Sequence, residues 1–308
     1  MRSICAKGVR AAGRPVGRMS KLRELLESGE FVVTGEVGPP LGTDMSAMRR
    51  SVEILGPVCD ALNVTDNQGA TLHLSSLAAS REVLEMGVEP IFQQTCRDRN
   101  RLALQSDLLA AWTLGLENVL IVTGDDPRGG DHPHAKGVFD LDSTQLIDIA
   151  TGMNEGHDML GRDLDGRTDL FIGGAVFPEA EPWDIQLVRA QRKIEAGARF
   201  FQTQAIFDME KFAKTAEALR PTGVKLIAGV LLLKSPRVVD FINGKLAGLM
   251  VPEEIATRIR DAADPLAESI ELAVEQVREL RQLAHGVHIM PLGVDAAVPE
   301  ILSRAGVR

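Results

Sequence analysis

The sequence is poor in aromatic and sulfur-containing side chains. It contains no tyrosine, and aromatic residues make up only 4% of its 308 residues. Its three cysteines, Cys5, Cys59 and Cys96, are widely spaced and form no Cys-x-x-Cys pair. An odd number of isolated cysteines argues against a disulfide framework and against a zinc ribbon. We therefore expect reduced thiols and a cytoplasmic location.

Long apolar runs and an excess of positive charge are also missing. No apolar run reaches the roughly 18 residues that a membrane-spanning helix needs. The net charge of −9 gives no overall attraction to nucleic acid or to an anionic membrane, and we expect neither as a partner. Residues 1–20 are basic but lack the apolar segment of a secretory signal. We expect a disordered extension over 1–20, with a transit peptide as the alternative, and one domain over 21–308.

The common nucleotide and hydrolase motifs are absent. No G-x-G-x-x-G follows an apparent strand, and no P-loop or G-x-S-x-G elbow occurs. A bound phosphate would therefore need basic side chains or a helix N-terminus. The stretch "RAQRKIEAGARFFQTQ" (189–204) offers Lys193 for this purpose, although such a run is usually the solvated face of a helix.

Apolar segments alternate regularly with amphipathic ones. Strand character, with β-branched or continuously apolar residues between Gly, Pro or Asp, occurs over 31–37, 61–65, 90–96, 118–125, 170–177, 200–207, 225–233 and 286–293. Helical periodicity occurs over 44–56, 72–86, 99–115, 142–154, 183–197, 208–219 and 264–285. This alternation predicts an α/β protein, a (β/α)8 TIM barrel with small extra helices. One extra helix is expected to begin near Pro252.

Polar residues collect at the carboxyl ends of the predicted strands, whereas the amino ends are apolar. The polar residues are Glu36, Thr65, Asp66, Asn67, Gln94, Thr95, Asp125, Asp126, Glu179, Gln202 and Gln204. In TIM barrels the chemistry takes place at the carboxyl end of the strands. The asymmetry therefore predicts an enzyme or a ligand-binding barrel.

Glu36 stands out because it ends the apolar strand in "VVTGEVGPP" (32–40). A carboxyl group in an apolar barrel mouth retains its proton more readily and can then act as a general acid. The alternative is a structural ion pair between Glu36 and an arginine or lysine.

The loop in "VTGDDPRGGDHPH" (122–134) contains three aspartates and two histidines. A metal site is conceivable there, but histidines in a glycine-rich loop are more often solvated, and we expect no metal. Asp125, directly after the strand, suits a hydrogen-bond acceptor for a polar ligand ring or a ribose. A carboxylate that caps the following turn fits the sequence equally well.

Several motifs, in this order, resemble the methylenetetrahydrofolate reductase family from about residue 21 to about residue 304. They are "TGEVGPP", "NVTDNQGA", "QQTC", "VTGDDP", "AVFPE", "QRKIEAGARFFQTQAIFD" and "AGVLL". The resemblance implies a flavin-bearing (β/α)8 barrel. A reduced pyridine nucleotide or another donor passes a hydride to flavin N5, and the flavin reduces 5,10-methylenetetrahydrofolate to 5-methyltetrahydrofolate, or catalyses the reverse oxidation.

The resemblance also implies roles for individual residues. Glu36 matches the general acid that protonates the folate amine as the five-membered ring opens, and Asp125 matches an aspartate near the flavin and the pterin. Gln204 matches a folate-contacting glutamine. The positions implied for the cofactor, FAD or alternatively FMN, are Thr65, Gln93, Thr95, Thr123, Gly124, Asp125, Asp142, Phe177 and Lys193.

The sequence departs from the family pattern at several positions. Gln93 replaces a histidine, Thr123 an arginine and Phe177 a tyrosine that are usual in the family. These changes leave two other functions open: a pterin-binding methyltransferase barrel and a non-catalytic assembly subunit. The form "EVGPPLGTD" (36–44) resembles versions from anaerobes, which implies a small zinc-containing partner subunit as an electron source. A homo-oligomer is also expected.

Overall fold

The computed structural model describes residues 20–245 and 249–308, so the extension expected before residue 20 lies almost wholly outside it. Eight parallel strands pair in sequence order, and the last pairs with the first to close a barrel. The strands are β1 Val32–Val37, β2 Ala61–Val64, β3 Pro90–Thr95, β4 Asn118–Val122, β5 Phe171–Val176, β6 Phe200–Ala205, β7 Lys225–Leu231 and β8 Gly286–Met290. The predicted (β/α)8 barrel is confirmed.

Helices surround the barrel. They are α1 Lys21–Ser28, α2 Ser46–Leu55, α3 Ser76–Glu85, α4 Arg101–Thr113, α5 Ser143–Glu155, α6 Trp183–Glu195, α7 Met209–Leu219, α8 Pro236–Lys245, α9 Glu253–Asp261, α10 Pro265–Leu283 and α11 Val298–Arg304. All seven segments with helical periodicity form helices, and α9 begins directly after Pro252. Helices α1, α8 and α11 are additions to the prediction. Within the described ranges, no helix is both long and apolar enough to cross a membrane.

The amino-terminal end of the barrel is closed by apolar packing. One cluster joins α1 to side chains of seven strands: Leu22, Leu26, Val32, Ala61, Ile91, Leu120, Phe171, Phe200 and Ile227. Residues one position away along the same strands, such as Val33, Leu62 and Phe92, belong to the separate cluster beneath the helices. Because strand side chains alternate between the two faces, the first set points into the barrel and the second points outward.

Helix α1 is held across this end by its own sequence. Ser20 accepts a hydrogen bond from the backbone N–H of Arg23, and Gly29 ends the helix with a φ of 83°. The carboxylate of Glu89, which precedes β3, accepts the N–H groups of Lys21 and Leu22. The opposite end of the barrel is therefore the open one, and the polar ends of the strands lie there.

A bulge between β6 and β7 shapes that open end. The strand register shifts between Gln202 and Ala205, and the Thr203 hydroxyl accepts the N–H of Gly229 while donating to the carbonyl of Gln204. A Cβ atom at Gly229 would lie 2.4 Å from the Gln204 carbonyl oxygen, so only glycine fits. The bulge thereby determines where Gln204 leaves the strand.

Candidate active site

Glu36 lies at the open end of β1 with only 12% of its side chain exposed. Its Oε1 is 3.4 Å from Nε2 of Gln68, and its Oε2 is 3.7 Å from Nε2 of His288. No arginine or lysine of the described ranges lies within ion-pair distance of this carboxylate. Among the described residues, an amide and an imidazole approach Glu36, so this part of the chain offers no support for the alternative of a structural ion pair with an arginine or lysine.

His288 connects Glu36 to Thr34 inside the barrel. It lies on β8 opposite Thr34 of β1, and its side chain is completely buried. Its Nδ1 is 3.0 Å from the Thr34 hydroxyl oxygen, which also lies 3.4 Å from the carbonyl oxygen of Val287. Its Nε2 has no hydrogen-bond partner and faces Glu36. Thr34, His288 and Glu36 thus lie side by side inside the barrel, with a hydrogen bond between the first two and a gap of 3.7 Å between the last two.

Other buried polar atoms in the upper barrel, the half of the barrel nearest its open end, also lack partners. Both amide atoms of Asn63 and the Oε1 atoms of Gln202 and Gln204 make no hydrogen bond. A buried polar group without a partner costs about 1–3 kcal/mol. Because strand side chains alternate between the two faces, these three residues point into the barrel, like the other inward-facing side chains of β2 and β6. The upper barrel therefore offers donors and acceptors that suit a polar ring system or ordered water.

Asp125 links two loops at the mouth. Its Oδ2 accepts the backbone N–H of Gly69, in the loop after β2, at 3.2 Å. The two loops interlock further, because a Cβ atom at Gly130 would lie 1.9 Å from the carbonyl oxygen of Ala70. The turn after Asp125 is capped by Asp126, which accepts the N–H of Arg128 at 2.9 Å. Asp125 itself therefore remains at the mouth, exposed to solvent.

The histidines of this loop are exposed. His132 pairs with Asp131 at 2.8 Å, and the carboxylate of Asp131 also accepts the N–H of Leu72. In the part of the chain that the structure describes, no group of three or more His, Cys, Asp or Glu residues could hold a metal ion. Asp125 and Asp131 thus contact the loop after β2, whereas Asp126 caps a turn of its own loop.

Beneath Asp125, a buried ion pair holds the ends of β2 and β3 together. Asp66 accepts both the N–H and the hydroxyl of Thr95, each at 2.9 Å. Arg99 donates to both oxygens of Asp66, at 2.8 and 3.2 Å. The hydroxyl of Thr95, a predicted cofactor residue, therefore donates to Asp66. Thr65, which follows β2 and directly precedes Asp66, is buried.

Two predicted cofactor residues, Asp142 and Thr123, lie at the amino end of α5, and a third, Lys193, lies within range of the charge of Asp142. Asp142 forms a capping box with Gln145, and the Thr123 hydroxyl donates to Ser143, the first residue of the helix. Lys193 extends from α6 and donates to the carbonyl of Ala175 at 2.7 Å. Burial lowers the pKa of Lys193 to about 8, although the charge of Asp142 acts in the opposite direction. Backbone N–H groups at a helix N-terminus, with a lysine within electrostatic range, are the kind of group that binds an anion.

The remaining predicted residues have mixed surroundings. Gln93 and Phe177 are half-buried at the ends of β3 and β5. Gly124 has a φ of 92°, and a Cβ atom there would lie 2.9 Å from Cβ of Arg97, so this glycine is required for packing. Glu179 accepts the N–H groups of Phe207 and Asp208 and thus stabilises the loop after β6.

Sequence reasoning missed His288, Thr34, Asn63 and Gln68. A histidine within the apolar segment "GVHIMPLG" (286–293) resembles an ordinary core residue. The alternation of side chains along a strand could have revealed it. Thr34 and Glu36 are two residues apart and therefore share the inward face of β1, and His288 is inward-facing on β8, which pairs with β1.

Comparison with known proteins identifies the family. The family model "Methylenetetrahydrofolate reductase" matches residues 21–306. The chain is 24% identical to methylenetetrahydrofolate reductase (NADH) 1 of Arabidopsis thaliana over 94% of this chain and 50% of that protein. It is 26% identical to 5,10-methylenetetrahydrofolate reductase of Pectobacterium carotovorum subsp. carotovorum over 66% of this chain and 64% of that protein. The chain thus spans about half the length of the plant relative.

A solved structure shares the fold. It is an uncharacterized protein from Clostridium thermocellum, described as binding two copies of 5-methyl-5,6,7,8-tetrahydrofolic acid, with a TM-score of 0.69 and 15% identity over 93% of this chain and all of that one. At this identity the likeness concerns the barrel alone. The match of the family model over nearly the whole chain is decisive, and this chain belongs to the methylenetetrahydrofolate reductase family.

Proposed function

We propose that this chain catalyses the flavin-dependent interconversion of 5,10-methylenetetrahydrofolate and 5-methyltetrahydrofolate. The observation that carries the proposal is the position of Glu36: a nearly buried carboxyl group at the mouth of the barrel, without an arginine or lysine partner in the described ranges. Family membership supplies the reaction in which such a group is needed. The unpaired polar atoms of the upper barrel match the polar edges of a pterin.

The chain's own residues then divide the work on the folate. Glu36 donates a proton to the folate amine as the five-membered ring opens, and the resulting carboxylate faces the Gln68 amide. Asp125 and Gln204 hold the pterin from the mouth and from β6. The apolar packing at the amino-terminal end of the barrel excludes water from beneath the reacting groups.

A flavin, when bound, supplies the hydride chemistry. Thr65, Gln93 and Phe177 would contact it from the strand ends, with Thr123 and Gly124 after β4. Asp142 and Lys193 are placed for its phosphate at the amino end of α5, where an anion would favour the charged form of Lys193. Thr95 would contribute through its position, since Asp66 accepts its hydroxyl proton. FAD and FMN both match this set of groups.

The same proposal covers the partners. The electrons come from a reduced pyridine nucleotide or from a small zinc-containing partner subunit, and the protein works as a homo-oligomer in the cytoplasm. Co-expression with the product of the neighbouring gene, followed by reduction assays with each electron donor, tests which source is used.

The visible spectrum of the purified chain tests the function. We expect flavin absorbance, either as isolated or after addition of FAD or FMN, and bleaching of that absorbance when 5-methyltetrahydrofolate is added anaerobically. A colourless protein that binds neither flavin would overturn the proposal. Binding of 5-methyltetrahydrofolate without flavin would then favour the methyltransferase-type barrel, and absence of both would favour an assembly subunit.

A further inference from the structure

We propose that Arg97 is a positioning residue for the loop after β2. By holding this loop against the open end of the barrel, Arg97 brings Gln68 to Glu36. The same constraint brings the backbone N–H of Gly69 to Asp125. The consequence for turnover rests on the proposed function, whereas the hold on the loop is a property of the chain alone.

Arg97 is a buried cation beside the mouth of the barrel. It follows β3, and only 2% of its side chain is exposed. Its Nε and Nη2 donate to the two carboxylate oxygens of Asp98 at 2.8 and 2.7 Å. Burial opposes ionisation of Asp98, but the hydrogen bond from Arg97 lowers the pKa of this carboxyl group below its usual value. The planar guanidinium is therefore held in one orientation by a charged partner.

The hold acts on Asn67, the residue directly before Gln68. Nη2 of Arg97 donates to the carbonyl oxygen of Asn67 at 3.1 Å, and Asp98 accepts the side-chain amide of Asn67 at 3.4 Å. Oδ1 of Asn67 accepts the N–H of His73, farther along the same loop, at 2.9 Å. The carbonyl of Asn67 and the N–H of Gln68 belong to one planar peptide unit. Arg97 thus fixes the plane from which Gln68 leaves.

The backbone of this loop is of a kind that needs an external hold. Asn67, Gly69 and Ala70 have positive φ angles of 46°, 63° and 57°. Glycine adopts this left-handed region freely and asparagine tolerates it, whereas alanine is disfavoured there. Such a conformation persists only when the surrounding contacts impose it. Loss of the contact with Arg97 therefore allows Gln68 and Gly69 to leave their partners.

Arg97 also contacts the loop after β4. A Cβ atom at Gly124 would lie 2.9 Å from Cβ of Arg97, and the backbone carbonyl of Arg97 accepts the N–H of Val138 at 2.7 Å. Its charge lies within electrostatic range of Asp125. Arg97 thus contacts both loops that meet at the bond between Gly69 and Asp125, and it fixes their relative position.

Hydrogen exchange of the flavin-free protein tests the hold. In Arg97→Met we expect the amide of Gly69 to exchange at least about tenfold faster than in wild type. The amides of β7 should keep their wild-type rates, because the opening is confined to the loop. Arg101→Met is the matched control: it breaks the exposed pair with Asp140 and should leave the exchange of Gly69 unchanged. Wild-type exchange of Gly69 in folded Arg97→Met would overturn the proposal, whatever the protein catalyses.

Arg97→Lys keeps the test decisive if Arg97→Met does not fold. Lysine retains the buried charge but cannot donate to Asp98 and Asn67 through one planar fork. The amide of Gly69 should therefore exchange at a rate between those of wild type and an unprotected loop. Exchange at the wild-type rate in this variant would show that the fork is not what holds the loop.

The two half-reactions test the consequence for turnover. In Arg97→Met the folate half-reaction should slow about tenfold, because misplacement of the groups around Glu36 costs rate. Flavin reduction by its electron donor, and the Kd for the flavin, should change less than threefold. A substitution that only destabilises the fold would slow both half-reactions alike. Equal slowing of both, or of neither, contradicts a positioning role.

A double-mutant cycle tests whether the loop transmits the effect. Gln68→Leu should slow the same half-reaction. The Arg97→Met/Gln68→Leu variant should be at most about twofold slower than the slower single variant, because both substitutions remove one contact with Glu36. Effects that multiply, or a Gln68→Leu variant at the wild-type rate, contradict transmission through the loop. A protein without flavin and folate activity removes the proposed function and leaves the exchange test in force.

Discussion

Glu36 and Asp125 contact consecutive residues of one loop. Gln68 donates its side-chain amide to Glu36 at 3.4 Å, and Gly69 donates its backbone N–H to Asp125 at 3.2 Å. The two carboxylates come from β1 and from the loop after β4, so the loop after β2 fixes their relative position. The described chain thus couples the proposed proton donor to the residue proposed to hold the pterin.

The first prediction concerns this coupling. Asp125→Ala removes the acceptor of the Gly69 N–H, so the hydrogen exchange of that amide should accelerate while the free energy of unfolding falls by only about 1 kcal/mol or less, because the bond is exposed. Asp131→Ala is the matched control, since it frees the amide of Leu72 instead. Equal exchange rates of Gly69 in wild type and Asp125→Ala would show that the bond is absent in solution.

The second prediction concerns the buried ion pair. Asp66→Ala should lower the free energy of unfolding by about 3 kcal/mol, because the N–H and hydroxyl of Thr95 lose a buried acceptor while Arg99 retains Asp107 as an ion-pair partner. Asp126→Ala breaks a solvent-exposed pair with Arg128 and should cost far less, because water screens the two charges. Urea unfolding of both variants measures the contrast, and similar losses would refute it.

The third prediction concerns the bulge between β6 and β7. Gly229→Ala places a Cβ atom 2.4 Å from the Gln204 carbonyl oxygen, so the backbone must move. We expect a loss of about 1–3 kcal/mol in the free energy of unfolding and weaker folate binding, because Gln204 shifts with the bulge. Gly42→Ala meets no atom within 4 Å and should change stability by less than about 0.5 kcal/mol. Folate binding that is intact in Gly229→Ala would separate Gln204 from the substrate.

The fourth prediction concerns pH. The pKa of Lys193 is about 8 in the folded protein and ordinarily 10.5, so between these values the unfolded chain binds more protons. The free energy of unfolding of the wild type, measured relative to that of Lys193→Met, should therefore rise with pH across this window, by about 3 kcal/mol at most. The comparison is made on flavin-free protein, and the variant serves as reference because buried Cys96, whose pKa is raised to about 12, titrates in both proteins. A difference that is constant from pH 7 to 10 would contradict the buried position of Lys193.

Much of the fold follows from local sequence. The strands are short apolar segments between turn residues. Alternation requires Val32 and Val33 to point to opposite faces, and the structure shows that Val32 is the inward one. Helices α1 and α11 escaped prediction because segments of eight and seven residues carry too few turns to show a period. The bulge at Gln204 was equally hidden, since it depends on how β6 meets β7.

The site was predictable in its parts but not in its connections. A carboxylate at the end of an apolar strand indicated Glu36, and the family resemblance indicated Asp142 and Lys193, of which the first caps α5 and the second lies within range of its charge. The contacts of Glu36 with Gln68 and His288 join segments that are 32 and 252 residues away in sequence. Such partners follow from closure of the barrel, which no local pattern contains.

The most direct test of the account is the single-turnover reaction of Glu36→Gln with folate. Glutamine keeps the shape of the side chain but cannot donate a carboxylic proton. We expect reduction of the bound flavin by its electron donor to remain within about threefold of wild type. The subsequent reoxidation by 5,10-methylenetetrahydrofolate should slow by about 10²- to 10⁴-fold. Reoxidation at the wild-type rate would contradict the assignment of Glu36 as the proton donor.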